Sequence, residues 1–376
     1  MDKVIKATAV LMMTTTLAHA GGLDRSGQGV GIIFEDGNTF QLSLGSINPT
    51  VSGVATGPGL TGASGDMADS YTQLSLAYKH ELNDNLSLAI IMDQPFGANV
   101  DYADASGGYY ATGGAAEVNS TAFTAVARYE MGNGFSVHGG LRYQTVDANV
   151  TLPSSATTLY NVDGDGSSGT GYLIGAAYEK PDIALRVALT YNSKVGHEMD
   201  VRESTLLAAT GASLGFADST TEFDTPESIN LDFQTGIAAD TLLFGSIRYA
   251  KWTQFSFEPI GYVTANGEAL QDYDNDVVSY NVGIGRRFND TWSGAITYAY
   301  EAGDGEFVGN LGPTDGSKAI GIGATYTGDG YKVTAGMRHI WLGDGDTEHP
   351  VVDGITGAEF RDNTARAFGV QFTTSF

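Results

Sequence analysis

The chain has no cysteine, little positive charge and no long apolar run, and each shortage removes a class of protein. Without cysteine there is no disulfide and no thiolate chemistry, so cohesion must come from backbone pairing and packing. No segment beyond the N-terminal region holds the roughly 18 consecutive apolar residues of a membrane-spanning helix, which excludes a helical anchor. Lysine and arginine number 19 against 44 aspartate and glutamate, and no nucleic-acid partner is expected. A nucleophile elbow, a phosphate-binding glycine loop and metal-spaced His or Cys are all missing, so neither enzymatic chemistry nor a cofactor nor a metal is expected. His138 stands alone at a lumen-facing position. Asp272, Asp274 and Asp276 alternate without the glycine or closing glutamate of a calcium loop, and read as solvated loop acids.

What is present points to an exported strand protein. Lys3 and Lys6 form a basic start, Ala7 to Leu17 a short apolar-to-neutral stretch, and Ala18-His19-Ala20 an A-x-A cleavage site. Residues 1–20 therefore read as a secretory signal peptide. Its removal takes two bases and one acid from the totals of 19 and 44, leaving 17 against 43 and a net charge of −26. Glycine supplies 51 residues and aromatics 10 % of the chain, a composition that suits many strands joined by tight turns.

About fourteen segments of about 10 to 18 residues carry period-two patterning, long enough to cross a bilayer at a tilt. They run from Asn38–Val54 to Asn363–Phe376, with Asn85–Tyr102 third, Ile183–Asp200 seventh, Glu222–Ala238 eighth and Thr241–Glu258 ninth. Short turns at Asn83-Asp84, Gly132-Asn133, Pro181-Asp182, Ala239-Asp240, Asn289-Asp290 and Gly328-Asp329 alternate with long, polar, glycine-rich connections. Short turns on one side and long loops on the other are the pattern of a bacterial outer-membrane barrel. The expected fold class is all-β: a transmembrane antiparallel β-barrel over residues 38–376, with residues 21–37 as a short lumenal plug. Its expected surroundings are the lipid bilayer and lipopolysaccharide of a Gram-negative cell outer membrane.

Phe368, Val370, Phe372 and the terminal Phe376 share one parity, and Phe376 is expected to mark the closing strand for the outer-membrane assembly machinery. Aromatics gather near segment ends, Tyr71, Tyr129, Trp252, Trp292 and Trp341 among them, as two interfacial girdles require. Charge segregates too. Acids crowd the loops, whereas Lys79, Arg128, Arg142, Arg186, Arg248, Arg287, Lys332 and Arg338 fall on the parity opposite the apolar face and should point into the lumen. Such bases either hold a ligand carboxylate, with Arg142, Arg186 and Arg248 as candidates, or pair with interior acids.

The third segment is interrupted. Leu86, Leu88, Ile90 and Met92 alternate with Ser87, Ala89, Ile91 and Asp93, and then comes Gln94-Pro95-Phe96-Gly97. Proline has no N–H for a ladder and is confined to edges, bulges and strand ends. A closed barrel has no edge, so Asp93, Pro95, Phe96 and Gly97 mark a bend or gap in the wall through which a greasy molecule could leave sideways. Farther along, Glu203 to Phe216 reads as a short amphipathic helix, and its Leu206, Leu207, Leu214 and Phe216 are unusual grease for an outer loop.

Several short motifs resemble one family. Thr225-Pro226-Glu227-Ser228-Ile229, Gly236 and Tyr249-Ala250-Lys251-Trp252-Thr253-Gln254-Phe255 are similar to a strand pair of outer-membrane long-chain fatty-acid transporters, the FadL and TodX-like family. Asn48-Pro49-Thr50-Val51-Ser52-Gly53, Pro95-Phe96-Gly97 and Gly312-Pro313-Thr314-Asp315 are similar to it as well. The resemblance implies a fourteen-stranded barrel, an N-terminal hatch in the lumen, and passive uptake of hydrophobic compounds; the basic interior makes carboxylated molecules, long-chain fatty acids above all, the first expected cargo, with hydrocarbons behind them. The resemblance also implies capture in an outer groove, here between Leu159 and Tyr160 and the four apolar residues of the later loop, and release at the kinked third strand. One departure is visible: Gly21 to Gly37 lacks the Asn-Pro-Ala motif usual in the family hatch. Two rival expectations are a general diffusion porin for polar solutes and a surface adhesin or phage-receptor barrel.

Overall fold

The computed structural model describes residues 23–155 and 157–376, so the signal-peptide reading lies outside the described residues. Strands β1 (Thr39–Thr50), β2 (Tyr71–Asn83), β3 (Leu86–Asp93 and Gly97–Asp101), β4 (Ala115–Gly132), β5 (Phe135–Pro153), β6 (Thr158–Lys180) and β7 (Leu185–Asn192 and Val195–Leu207) form one half of a closed sheet. The other half is β8 (Ser213–Thr225 and Ser228–Ala238), β9 (Thr241–Ala250), β10 (Val277–Arg287), β11 (Trp292–Glu301), β12 (Ser317–Thr327), β13 (Tyr331–Leu342) and β14 (Thr364–Ser375). Each strand pairs antiparallel with the next, and β14 pairs with β1 from Thr39↔Ser375 to Thr50↔Thr364, which closes a fourteen-stranded barrel.

Local chemistry makes the short turns. Between β4 and β5, Asn133 and Gly134 both adopt positive φ (53° and 83°), the pair of left-handed residues that a tight hairpin demands. A β-carbon on Gly134 would collide with the Glu179 carbonyl, so glycine is required there for space as well as for φ. The period-two pattern then sets the faces. Leu88, Ile90, Phe123, Leu141, Ile174, Ile296, Ile322 and Val370 are exposed, with Leu141 at 72 %. Exposed grease in one continuous band is stable only against lipid.

Residues 23–38 fill the lumen. A single 3-10 turn, Gly31–Phe34, buries Ile32 and Ile33 against Ala77, Ala89, Ile91, Val126 and Leu173 of the wall. The interior bases hold this plug by its backbone and side chains. Lys79 donates to the Glu35 carbonyl at 2.6 Å and Arg128 to the Ile33 carbonyl at 3.3 Å. The guanidinium groups of Arg128 and Arg186 flank the Phe34 ring at 4.7 and 4.8 Å from its centre, and Lys332 lies 3.9 Å from the Glu35 carboxylate.

Three expectations need correction. The stretch Glu203 to Phe216 is not a helix: β7 and β8 run on beyond the barrel as a hairpin turning at residues 208–212, and the start of β6 pairs with β7 as a third strand. The ladder on both sides of β7 outweighs an apolar spacing that a helix and a strand can share. The helix of the outer region is instead α1 (Ile260–Asn266), whose first amides, Gly261 and Tyr262, donate to the Glu203 carboxylate at 3.0 Å each. Trp252 and Tyr71 are not in a girdle: Tyr71 faces the lumen under Arg25 and lines a cavity there. Strand β9 stops at Ala250, the chain enters a short 3-10 turn, and the indole is turned inward and buried. Arg287 keeps its inward parity but stands exposed at the short-turn rim, ion-paired with Asp240 at 2.5 Å.

Candidate functional site

Above the plug, on the long-loop side, lies a cavity of about 650 Å³. Its body is apolar: Val51, Met67, Val100, Val118, Val146 and Val150 come from strands and adjoining loops, and Phe223 from β8. The loop between β9 and β10 folds back to supply an aromatic cluster. Trp252 meets Phe96 edge-on at 5.7 Å, Phe255 at 5.9 Å and Tyr273 at 5.0 Å between ring centres, and Phe223 meets Phe255 and Phe257 at 5.9 and 5.6 Å. Edge-to-face contacts of this kind fix ring positions beyond what burial alone does. Parity cannot predict this cluster, because most of its members lie outside the strands.

The mouth is acidic. Asp272, Asp274, Asp276, Asp304, Glu306 and Asp315 line it, and among the described lining residues the only base is Arg25. Burial alone would raise Asp276, but hydrogen bonds from Tyr249 and from the hydroxyl and amide of Thr253 prevail and hold its carboxyl below the ordinary range. Burial, with Asp24 and Asp272 nearby, pushes the Tyr273 phenol well above its usual value, so it stays neutral. Tyr102 donates to the Asn310 carbonyl at 2.6 Å and ties two outer loops together. Among the described residues there is no His, Cys, Asp and Glu group able to hold a metal ion.

The wall beside the cavity is broken where Pro95 stands. Strand β3 pairs with β2 only as far as Met92↔Leu76, and its second part, Gly97–Asp101, pairs with β4 alone. Between Leu76 and the bridge Ala68↔Val100 above it, β2 has no partner strand on that side. The side chain of Gln94 accepts from the Leu74 amide at 2.9 Å and stands in for one missing ladder bond. The inward parity also changes across the break, from Ile91 and Asp93 to Ala98 and Val100, because β3 takes four steps from Asp93 to Gly97 where β4 takes three from Ala122 to Asn119. The plug occupies the vacated edge: Arg25 N–H donates to the Pro95 carbonyl at 2.7 Å, Gly97 N–H to the Leu23 carbonyl at 2.8 Å, and Asp24 bridges Phe96. Asp93 is buried in the lumen and accepts from the Ser26 hydroxyl.

The three candidate carboxylate-binding arginines do not line this cavity. Arg248 is saturated: Nε and Nη2 grip Asp24 at 3.1 and 2.9 Å, and Nη1 donates to Ser228 at 2.7 Å and Asn230 at 3.0 Å. Arg142 donates to Thr124 at 3.0 Å, and Arg186 stacks on Phe34 beside a smaller cavity under the plug. The outer apolar candidates are likewise separate from the cavity. Leu159 and Tyr160 pair directly with Leu206 and Thr205, Tyr160 donates to Glu203 at 2.6 Å, Leu207 ends the same strand, and Leu214 and Phe216 are exposed on the outer hairpin. Strand pairing thus occupies the space in which a groove between these loops was expected.

A closed fourteen-stranded barrel with an internal plug, an apolar cavity above it and an interrupted strand beside it defines a class of outer-membrane channel. Residues 32–376 match the family model of the outer membrane protein transport protein (OMPP1/FadL/TodX), and the chain belongs to that family. It is accordingly a Gram-negative outer-membrane barrel of a family of channels for hydrophobic compounds, a family of transport rather than of enzymes. In structure it is similar to a Pseudomonas aeruginosa FadL homologue, with TM-score 0.77 at 13 % identity over 92 % of both chains. It is also similar to the Pseudomonas putida toluene transporter TodX, with TM-score 0.65 at 13 % identity over 95 % of this chain and 96 % of that one. The Ralstonia pickettii toluene transporter TbuX aligns with TM-score 0.60 at 10 % identity, over 92 % and 90 % respectively. No curated protein matches the sequence.

Proposed function

We propose that this barrel carries uncharged hydrophobic compounds inward without an energy source, captures them in the aromatic cavity and releases them sideways through the interrupted wall at Asp93, Pro95, Phe96 and Gly97. The observation that carries the reading is the cavity itself, about 650 Å³ of mainly apolar surface under an acidic mouth. Burying apolar area is worth roughly 25 cal/mol per Å², so a hydrocarbon gains from entering whatever its shape. A fatty-acid carboxylate, by contrast, meets six acids at the mouth and one base, Arg25, that already binds Asn99. An ionised group taken from water without a partner is strongly disfavoured. Long-chain fatty acids therefore stand second, and they would have to enter protonated or draw Arg25 away from its partner.

The test is uptake by cells that lack their own transporter and express this chain, with a radiolabelled neutral hydrocarbon and a long-chain fatty acid of similar size. The hydrocarbon should enter and the acid should enter much more slowly near neutral pH. Equal uptake of both would remove the charge argument, and preferential uptake of the acid would reverse it. Restoring a ladder donor with Pro95→Val, while keeping the glycine at 97 that leaves room for Arg25, should lower hydrocarbon uptake about tenfold while leaving binding to purified protein intact. Undiminished uptake in that variant would rule out the sideways route.

A further inference from the structure

The interrupted wall is not simply open, and what closes it is one side chain of the plug. Asp24 and Phe96 face the lumen, where Asp24 grips Arg248 and Phe96 packs on Trp252. Arg25 therefore projects to the opposite face of this short pairing, between the second part of β3 and the inner face of β2. Its guanidinium lies 4.0 Å from the ring centre of Tyr71 on β2 and donates to Asn99 of β3 at 2.5 Å. The Gln73 side chain of β2 donates to the Arg25 carbonyl at 2.9 Å. Arg25 is 6 % exposed, and a β-carbon on Gly97 would collide with its guanidinium. One residue thus touches both lips of the seam, and glycine at position 97 leaves the room it needs.

We propose that Arg25 is the bolt of the lateral seam, a gating residue that seals the cavity from the bilayer by bridging Tyr71 and Asn99. This rests on the sideways route of the preceding reading. A guanidinium suits the task because its flat face stacks on an aromatic ring while its edge donates in plane, so a single group bonds to both strands at once. A lysine cannot do both, since its ammonium is a strongly hydrated point charge with no plane to stack. The bolt moves only with the plug, because its backbone is paired to Pro95 and its neighbour Asp24 to Arg248. Passage of ligand then requires the guanidinium to leave the Tyr71 ring, whereas the barrel wall itself need not move.

The absence of native cysteine allows a direct measurement. Ser75→Cys places a thiol on β2 next to the seam, opposite Ser43 of β1, at a residue that lines the smaller cavity beside the plug. In the full-length barrel reconstituted in liposomes, a bilayer-confined maleimide should label this thiol slowly. Adding Arg25→Ala should accelerate labelling about tenfold, the order expected for losing a desolvated cation–π contact, and Arg25→Lys should recover only part of the protection. Unchanged labelling in the folded Arg25→Ala barrel, judged by heat-modifiable migration, would overturn the bolt. So would full protection by lysine, since a point charge would then suffice. Fast labelling combined with no hydrocarbon uptake in cells would leave the bolt standing and remove the sideways route instead.

Discussion

Replacing Asp24 with alanine should turn a nearly non-conducting barrel into one with steady ionic conductance in planar bilayers. Asp24 and Arg248 are both almost fully buried and bonded through two nitrogens. Removing one partner of such a pair leaves the other charge uncompensated, at a cost of about 3–5 kcal/mol. The charge that remains belongs to the wall, so the loss falls on the attachment of the plug. What remains at that end is a set of bonds without a buried ion pair of the plug's own: Ser26 to Asp93, Asn230 to the Gly27 carbonyl at 2.8 Å, and the contacts of Leu23 and Arg25 with the lips of the seam. Replacing both members, as in Asp24→Leu with Arg248→Met, leaves no orphan charge and should restore the closed state. A single-site Asp24→Ala variant that stays silent would mean that the plug is held by its apolar face, Ile32 and Ile33, rather than by the ion pair.

Trp252→Ala should weaken capture severely while sparing the barrel. The indole is 1 % exposed and touches Phe96, Phe255 and Tyr273, so it is the hub of the aromatic cluster. Truncating a buried aromatic to alanine costs about 3–5 kcal/mol, and here the loss falls on an outer loop and the cavity wall, not on the strand ladder. Binding of a neutral hydrocarbon to the purified protein should weaken by about a hundredfold. Heat-modifiable migration should be unchanged, because β9 ends at Ala250, before the mutated residue. A variant that no longer migrates as a folded barrel would instead assign Trp252 to assembly.

Much of the fold was legible because barrel strands obey a strict period of two, and lipid on one side makes that period readable. The interruption at Pro95 was visible for a similar reason, since proline is chemically unable to donate to a ladder. The apolar outer hairpin was misread because Leu206, Leu207, Leu214 and Phe216 have a spacing compatible with helix, and only the pairing of β7 with both β6 and β8 decides between the two. The lumenal bases were placed on the right face by parity, but parity gives no depth and no partner. Arg142, Arg186 and Arg248 looked like ligand-binding groups for that reason, whereas Arg248 and Arg186 hold the plug and Arg142 binds Thr124.

The sequence by itself determined the all-β class, the inward and outward faces, the alternation of short turns and long loops, and the break in the third strand, because all of these follow from local rules about backbone donors and side-chain alternation. Tertiary structure alone decided what fills the barrel and where a ligand can sit. Phe96, Phe223 and the loop that carries Trp252 and Phe255 converge from three separate stretches, and Arg25 reaches Tyr71 and Asn99 across 46 and 74 residues of chain. Contacts at such separations arise only when the barrel closes and the N-terminal segment enters it, and no local pattern records them.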